Sequence, residues 1–317
     1  MTVAQPDSGF RLGLKSSAAP RSLSPSLSAV LINSSEPAAS RIRTILITGA
    51  NRGIGYETAK QLALRGIRLI LACRNTERAE AAVRSLVEET GNREISFRHV
   101  DLACLKSVDR CAVDLLNSET HLNAVILNAG MFSSERRVSS DGYELQFASN
   151  YLGHFHLANS LVPLLRFGAP SRIIVVASES HRLIDQTFLN DIQMEHGYKR
   201  CQAFARSKLC EIILAREMAK RVRSKRIVVN ALHPGMVPTD LFRGTWMRTL
   251  AKLFGTSAER AAISAVYLAV DDSVADVTGA YFVKRRITRP SPEAENDDIG
   301  SQLWTMSEEL VHRALSE

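Results

Sequence analysis

An α/β fold built on one doubly wound parallel sheet, with helices on both faces, is what this sequence predicts, and three observations predict it. Short β-branched apolar runs alternate with longer amphipathic segments, the pattern of strand–helix–strand units. A glycine-rich turn joins the first apolar run to the first amphipathic segment. The composition is that of an ordinary globular chain: 317 residues, 45% hydrophobic and 23% charged, a length that a single open sheet can reach.

Residues 1–41 stand apart. They are rich in Ser, Ala and Pro, carry Arg11, Lys15, Arg21 and Arg41, and hold only Asp7 and Glu36 as acids. That composition predicts a disordered tail. A segment rich in Ser and Arg and poor in acids also fits an organelle transit segment, which would send the chain to a mitochondrion or plastid; otherwise the expected place is the cytoplasm. The predicted domain runs over 42–285. Its strands fall at TILIT, RLILAC, ISFRH, NAVIL, RIIVVA, RIVVNA and GAYFV, seven runs with six crossovers between them. Nearly continuous apolar runs, rather than strictly alternating ones, suit parallel strands covered on both faces. After about Phe282 the chain turns polar, with Pro290 and Pro292 and the acids Glu293, Glu295, Asp297 and Asp298. Residues 286–317 therefore read as a polar tail ending in an amphipathic helix from about Ser301 to Leu315, expected to pack on the domain surface or on a partner subunit.

Several function classes drop out. The formal charge of +7 and pI near 9.3 come from basic residues spread along the chain, with only short clusters at 221–226 and 284–289. That is not the footprint of a nucleic-acid binder, though it suits an anionic ligand. Cys73, Cys104, Cys111, Cys201 and Cys210 form no C-x-x-C pair and have no run of histidines nearby, so reduced thiols and no metal site are expected. There is no apolar run of membrane-spanning length and no secretory signal pattern.

The turn after the first strand reads Thr48-Gly49-Ala50-Asn51-Arg52-Gly53-Ile54-Gly55, and Tyr56 onward opens a helix. Glycines let the backbone turn sharply and approach a pyrophosphate, while the helix start offers free N–H groups and a positive dipole end. Its place between strand and helix is the context that makes such a motif a dinucleotide site. At the end of the second strand, where NAD-preferring folds carry an acid for the ribose hydroxyls, stands Arg74. A guanidinium there, with Arg52 in the turn, pairs well with a 2′-phosphate, so NADP(H) is expected over NAD(H).

With that turn in hand, Asp101-Leu102, Asn128-Ala129-Gly130, Asn150, Ser178, Lys208 and Pro234-Gly235 fall into a series. The chain resembles the short-chain dehydrogenase/reductase family over about 43–283, closest in flavour to retinol dehydrogenases and the oxidoreductase part of the WW-domain oxidoreductase. The likeness rests on TGANRGIGYETA, LACRN, NYLGHF, VVASESHR, RSKLC and NALHPG. It implies that Asp101 hydrogen-bonds the adenine edge and that Asn128, Ala129 and Gly130 support the strand beside the adenosine ribose. It implies that Asn150 holds a water in the proton relay, that Ser178 orients the substrate oxygen and that Lys208 binds the nicotinamide ribose. Pro234, Gly235 and Thr239 match the loop beside the nicotinamide and phosphates, and a homo-oligomer is the implied assembly.

One position departs from the pattern. The family's active-site helix carries Tyr-x-x-x-Lys, and the residue four before Lys208 is Phe204. The phenol that would give a proton to the substrate oxygen is missing, which would cripple a carbonyl reductase without abolishing cofactor binding. Tyr198, six residues earlier, would not project from the same spot. His181 near Ser178 invites a hydrolase reading, but no G-x-S-x-G elbow is present and residues three apart at a strand end face different ways. The amphipathic stretch 241–254 corresponds to the family's lid, and its apolar face fits a lipophilic substrate, a core contact or a membrane surface. Two readings follow: an NADP(H)-dependent oxidoreductase of a lipophilic alcohol or carbonyl, and a non-catalytic NADP(H)-binding pseudoenzyme acting as sensor or scaffold.

Overall fold

The computed structural model describes residues 43–237 and 255–316. The N-terminal segment, Thr239 and the stretch 241–254 lie outside the described residues. Each of the apolar runs forms a strand: β1 Thr44–Thr48, β2 Arg68–Cys73, β3 Ile95–His99, β4 Ala124–Leu127, β5 Ser171–Val176, β6 Ile227–His233 and β7 Tyr281–Val283. They run parallel in the order β3-β2-β1-β4-β5-β6-β7. Helices α1 Gly53–Ala63, α2 Thr76–Thr90, α3 Leu105–Ser118, α4 Gly153–Ser160, α5 Val162–Phe167, α6 Arg200–Val222 and α7 Ala258–Val270 lie between them. This is the Rossmann-type arrangement that the alternation predicts.

Both faces of the sheet are covered. In β1, Leu46 packs into one hydrophobic cluster while Ile45 and Ile47 pack into the other. In β5, Ile173 and Val175 point one way and Ile174 and Val176 the other. Successive side chains leave opposite faces of a strand, so a sheet with two buried faces needs apolar residues at every position.

The C-terminal part corrects an expectation. Residues Arg286–Ile287 form an eighth strand, β8, antiparallel to β7, so the sheet does not end at residue 285. Helix α8, Asp297–Ser316, starts earlier than Ser301 and sinks into the common core, burying Ile299, Leu303, Trp304, Val311 and Ala314. These residues form a stripe on one face, which the polar average of the segment hides. Trp304 meets Phe155 edge-on at 4.8 Å, and Tyr151 Oη and Ser307 Oγ lie 2.7 Å apart. Helix α8 thereby braces the segment that carries Asn150.

Two local features set the site. Strand β1 has β2 on one side and β4 on the other, so the order of the sheet reverses there and a crevice opens at their carboxyl ends. Residues Phe147–Leu152 are π-helical and run straight into α4, a geometry common at functional positions. The Glu144 carboxylate caps this segment, accepting from the N–H groups of Gln146 at 3.0 Å and Phe147 at 2.7 Å. Gly153 lets α4 approach the loop after β3, since a Cβ there would lie 2.2 Å from the Leu102 carbonyl oxygen. Gly153→Ala is expected to lower stability by about 1–3 kcal/mol, the usual cost of overpacking, read as a fall in the urea midpoint.

Candidate functional site

Gly49, Asn51, Arg52, Gly53, Ile54 and Gly55 line one side of a cleft of about 390 Å³ at the carboxyl ends of β1 and β4. Gly49 has φ +66° and its Cβ position lies 2.8 Å from Ala129 Cα, so only glycine fits without strain. The first turn of α1 has no side-chain cap: Arg52 is the extended N-cap residue and bonds no helix N–H through its side chain. Helix α2 is different, because Asn75 accepts from the N–H of Arg78 at 2.8 Å. The α1 N–H groups are thus left for an anion, and the positive dipole end favours one.

Thr48 lies behind the cleft and does not line it. Its hydroxyl accepts from the N–H groups of Asn128 at 2.9 Å and Ala129 at 3.0 Å, while Asn128 Nδ2 donates to the Thr48 carbonyl at 2.9 Å. These bonds lock the β1 turn to the β4 end. At the other edge of the cleft lie Arg74, Asp101 and Leu102, with Asn128, Ala129 and Gly130 on its floor. Asp101 accepts from the N–H of Ala103 at 3.0 Å. Arg78, which the sequence reading passed over, lines the same edge as Arg74. Its signal was its place in the first turn of α2, four residues on.

Ser178, Phe204, Lys208, Pro234 and Gly235 line the far end of this cleft. Asn150 sits behind it with both ends of its amide engaged. Oδ1 accepts from the N–H of Met131 at 2.8 Å, and Nδ2 donates to the Met131 carbonyl at 3.1 Å and to Ser207 Oγ at 2.9 Å. A Cβ on Gly130 would lie 3.7 Å from Lys208 Nζ and 3.8 Å from Asn150 Oδ1, so these two polar atoms flank one spot. Lys208 is buried, donates to the Val176 carbonyl at 3.0 Å and to Glu211 Oε1 at 3.0 Å, and lies 5.4 Å from the centre of the Phe204 ring. Glu211 was not among the candidates read from the sequence.

His154, also missed, ties the two halves of the site together. Its Nδ1 lies 2.7 Å from the Asn150 carbonyl oxygen, which can only accept, so Nδ1 carries the hydrogen. Its Nε2 then accepts from Thr48 Oγ1 at 2.9 Å. Burial holds its pKa down at about 3, so the imidazole is neutral and every polar atom in the chain from Asn150 to Ala129 is paired.

The hydrolase reading fails on geometry. His181 Nδ1 donates to the Ser178 backbone carbonyl at 2.7 Å and its Nε2 accepts from the N–H of Ser291 at 3.1 Å. Neither nitrogen is left for the Ser178 hydroxyl. Tyr198 precedes α6 and accepts from Gln146 Nε2 at 2.8 Å, away from the cleft. A second cavity shares Ser178, Phe204, His233, Pro234 and Gly235 with the cleft and is walled by Phe132, Leu183, Met236 and Ile263. Leu183 and Met236 are 72% and 50% exposed, an apolar surface open to a ligand. No helix among the described residues is long and apolar enough to cross a membrane.

Comparison with known proteins agrees with this fold. The family model for short chain dehydrogenases matches residues 43–248. The chain is 39% identical to human retinol dehydrogenase 13 over 280 residues, covering 85% of this chain and 84% of that one. It is 36% identical to the human WW domain-containing oxidoreductase, covering 86% of this chain and 69% of that protein. Among solved structures it is similar to a short chain dehydrogenase from Escherichia coli CFT073 complexed with NADPH, with TM-score 0.60 and 25% identity over 77% of this chain and 97% of that one. The chain belongs to the short-chain dehydrogenase family of oxidoreductases and is related to the retinol dehydrogenases.

Proposed function

We propose that this chain is an NADP(H)-dependent oxidoreductase of a lipophilic alcohol or carbonyl, working with Phe204 where the family has a tyrosine. The observation that carries the reading is one continuous cleft. It joins the uncapped α1 N-terminus and Arg74 at one end to Ser178 and Lys208 at the other, and the apolar cavity opens beside Ser178. A dinucleotide fits this cleft by the chemistry of its walls: N–H groups and glycines for the pyrophosphate, and the arginines Arg74 and Arg78 for a 2′-phosphate. When bound, the reduced nicotinamide supplies hydride. The chain's own residues do the rest. Lys208 presents its one remaining N–H where a sugar hydroxyl and the substrate oxygen meet, the Ser178 hydroxyl orients the substrate oxygen, and Asn150 keeps the Met131 backbone in place beneath them. Similarity to a retinol dehydrogenase and to a short chain dehydrogenase structure complexed with NADPH supports the same substrate and cofactor classes.

The cofactor half is tested by titrating NADPH and NADH into the protein and into Arg74→Ala. NADPH is expected to bind more tightly, and the substitution is expected to weaken it by about 10- to 100-fold, the worth of hydrogen bonds to a charged group, while NADH changes little. Equal affinities in the wild type would overturn the NADP(H) preference. A second reading, a non-catalytic NADP(H) sensor or scaffold, is favoured by Phe204 itself. It differs in one outcome: NADPH binds and is never oxidised.

A further inference from the structure

Reduction of a carbonyl needs a proton for the substrate oxygen, and Phe204 has none to give. Beside its ring stands the Lys208 ammonium, with three N–H bonds, of which one is spent on Val176 and one on Glu211 Oε1. Glu211 is one helical turn further along α6 and has no exposed surface. Its Oε2 lies 2.9 Å from Nζ yet accepts no well-directed hydrogen bond among the described residues. A carboxylate held out of water with one oxygen unsatisfied is costly. A lysine that only bound a sugar hydroxyl would need no carboxyl behind it.

We propose that Glu211 stores the proton of the reaction and passes it through Lys208 Nζ to the substrate oxygen, a role that rests on the oxidoreductase reading above. As the carbonyl carbon gains hydride, the C=O π pair moves to oxygen, and that oxygen takes a proton from Nζ. The Glu211 O–H bond then breaks and its proton refills Nζ. An alcohol departs, and an ammonium–carboxylate pair stays behind. In alcohol oxidation the same transfers run backward. Glu211 acts through Lys208 and touches no reacting atom.

The charge balance suits this exchange. Burial raises the Glu211 carboxyl to about 7 against the pull of Lys208, so the protonated and ionised forms are both populated near neutral pH. The titratable groups facing Lys208 from neighbouring elements are His154 on α4 and His233 at the end of β6, and burial lowers the pKa of both. On α6 itself Cys210 adjoins Glu211, and burial pushes its thiol far up. Burial thus moves the two imidazoles away from their charged form and moves the Glu211 carboxyl toward neutral pH.

Two measurements test the proposal. In the cofactor-free protein, carbon-13 NMR of labelled glutamate carboxyls follows their titration, with Glu211→Gln identifying the signal. A midpoint near 7 is expected, and one in the ordinary range near 4.3 would overturn the proposal. NADPH-dependent reduction of nonanal is then followed against pH. The wild-type rate is expected to fall as pH rises through about 7. Glu211→Gln is expected to lose at least about tenfold in rate and to lose that fall, with NADPH affinity showing the fold intact. Glu211→Asp, which keeps a carboxyl, is expected to keep the pH dependence, and in a Phe204→Tyr background the cost of Glu211→Gln is expected to shrink. A wild type that turns over while Glu211→Gln matches its rate and profile would overturn the role of Glu211 and leave the oxidoreductase reading standing. Turnover in Phe204→Tyr with none in the wild type would overturn the reading itself.

Discussion

Phe204→Tyr is expected to raise NADPH-dependent carbonyl reduction by about 10²- to 10⁴-fold, the usual worth of a positioned acid. The ring lines both the cleft and the apolar cavity, so it stands where cofactor and substrate meet. Lys208 Nζ, 5.4 Å from its centre, would stabilise a phenolate and lower the phenol's pKa. The ring packs edge-on against Phe132 at 5.7 Å and is 6% exposed, and the substitution adds one oxygen to a ring of the same shape. The gain should therefore appear in kcat rather than in KM, with stability little changed. Initial rates at saturating NADPH measure it. An unchanged kcat would mean that the position four residues before Lys208 does not face the reacting oxygen.

The second large effect lies at the other end of the cleft. Gly55→Val is expected to weaken NADPH binding by at least about 100-fold, the loss that follows when a pyrophosphate cradle closes. A Cβ at residue 55 would fall 2.5 Å from Asn128 Nδ2 and 2.6 Å from the Gly49 carbonyl oxygen. Those two groups are hydrogen-bonded to the rest of the cradle, so neither can give way without moving the β1 turn or the β4 end. Fluorescence titration with NADPH reads the effect, and circular dichroism checks that the sheet persists. Wild-type affinity in Gly55→Val would show that the dinucleotide does not lie on this turn.

Much of the fold was legible because its physics is local. The inner strands are buried on both faces and nearly continuously apolar, so they announced themselves, whereas β3, half-buried at the sheet edge with Arg98 and His99, carries a weaker signal. The glycine turn did so through its place between strand and helix. What escaped depends on distant partners. Helix α8 hides its buried stripe among acids, and β8 is too short to show a period. His154 lay within the NYLGHF run quoted for its likeness, but nothing local says that its ring spans Thr48 and Asn150. Lys208 and Glu211 stand at a spacing that on most helices is an exposed ion pair worth a few tenths of a kcal/mol. Burial alone turns that pair from surface charge into a proton-holding device. Phe204 was legible as a departure, while the groups that answer it were not.

In this mechanism the cleft binds NADPH and reduces a carbonyl without a phenol. A single-turnover experiment tests it most directly: enzyme in excess over NADPH is mixed with nonanal, and the absorbance of the reduced nicotinamide is followed with time. Bound NADPH is expected to be oxidised as alcohol forms in equal amount, at a rate that falls as pH rises through about 7. NADPH that binds and stays reduced in the wild type, while Phe204→Tyr consumes it under the same conditions, would contradict this mechanism.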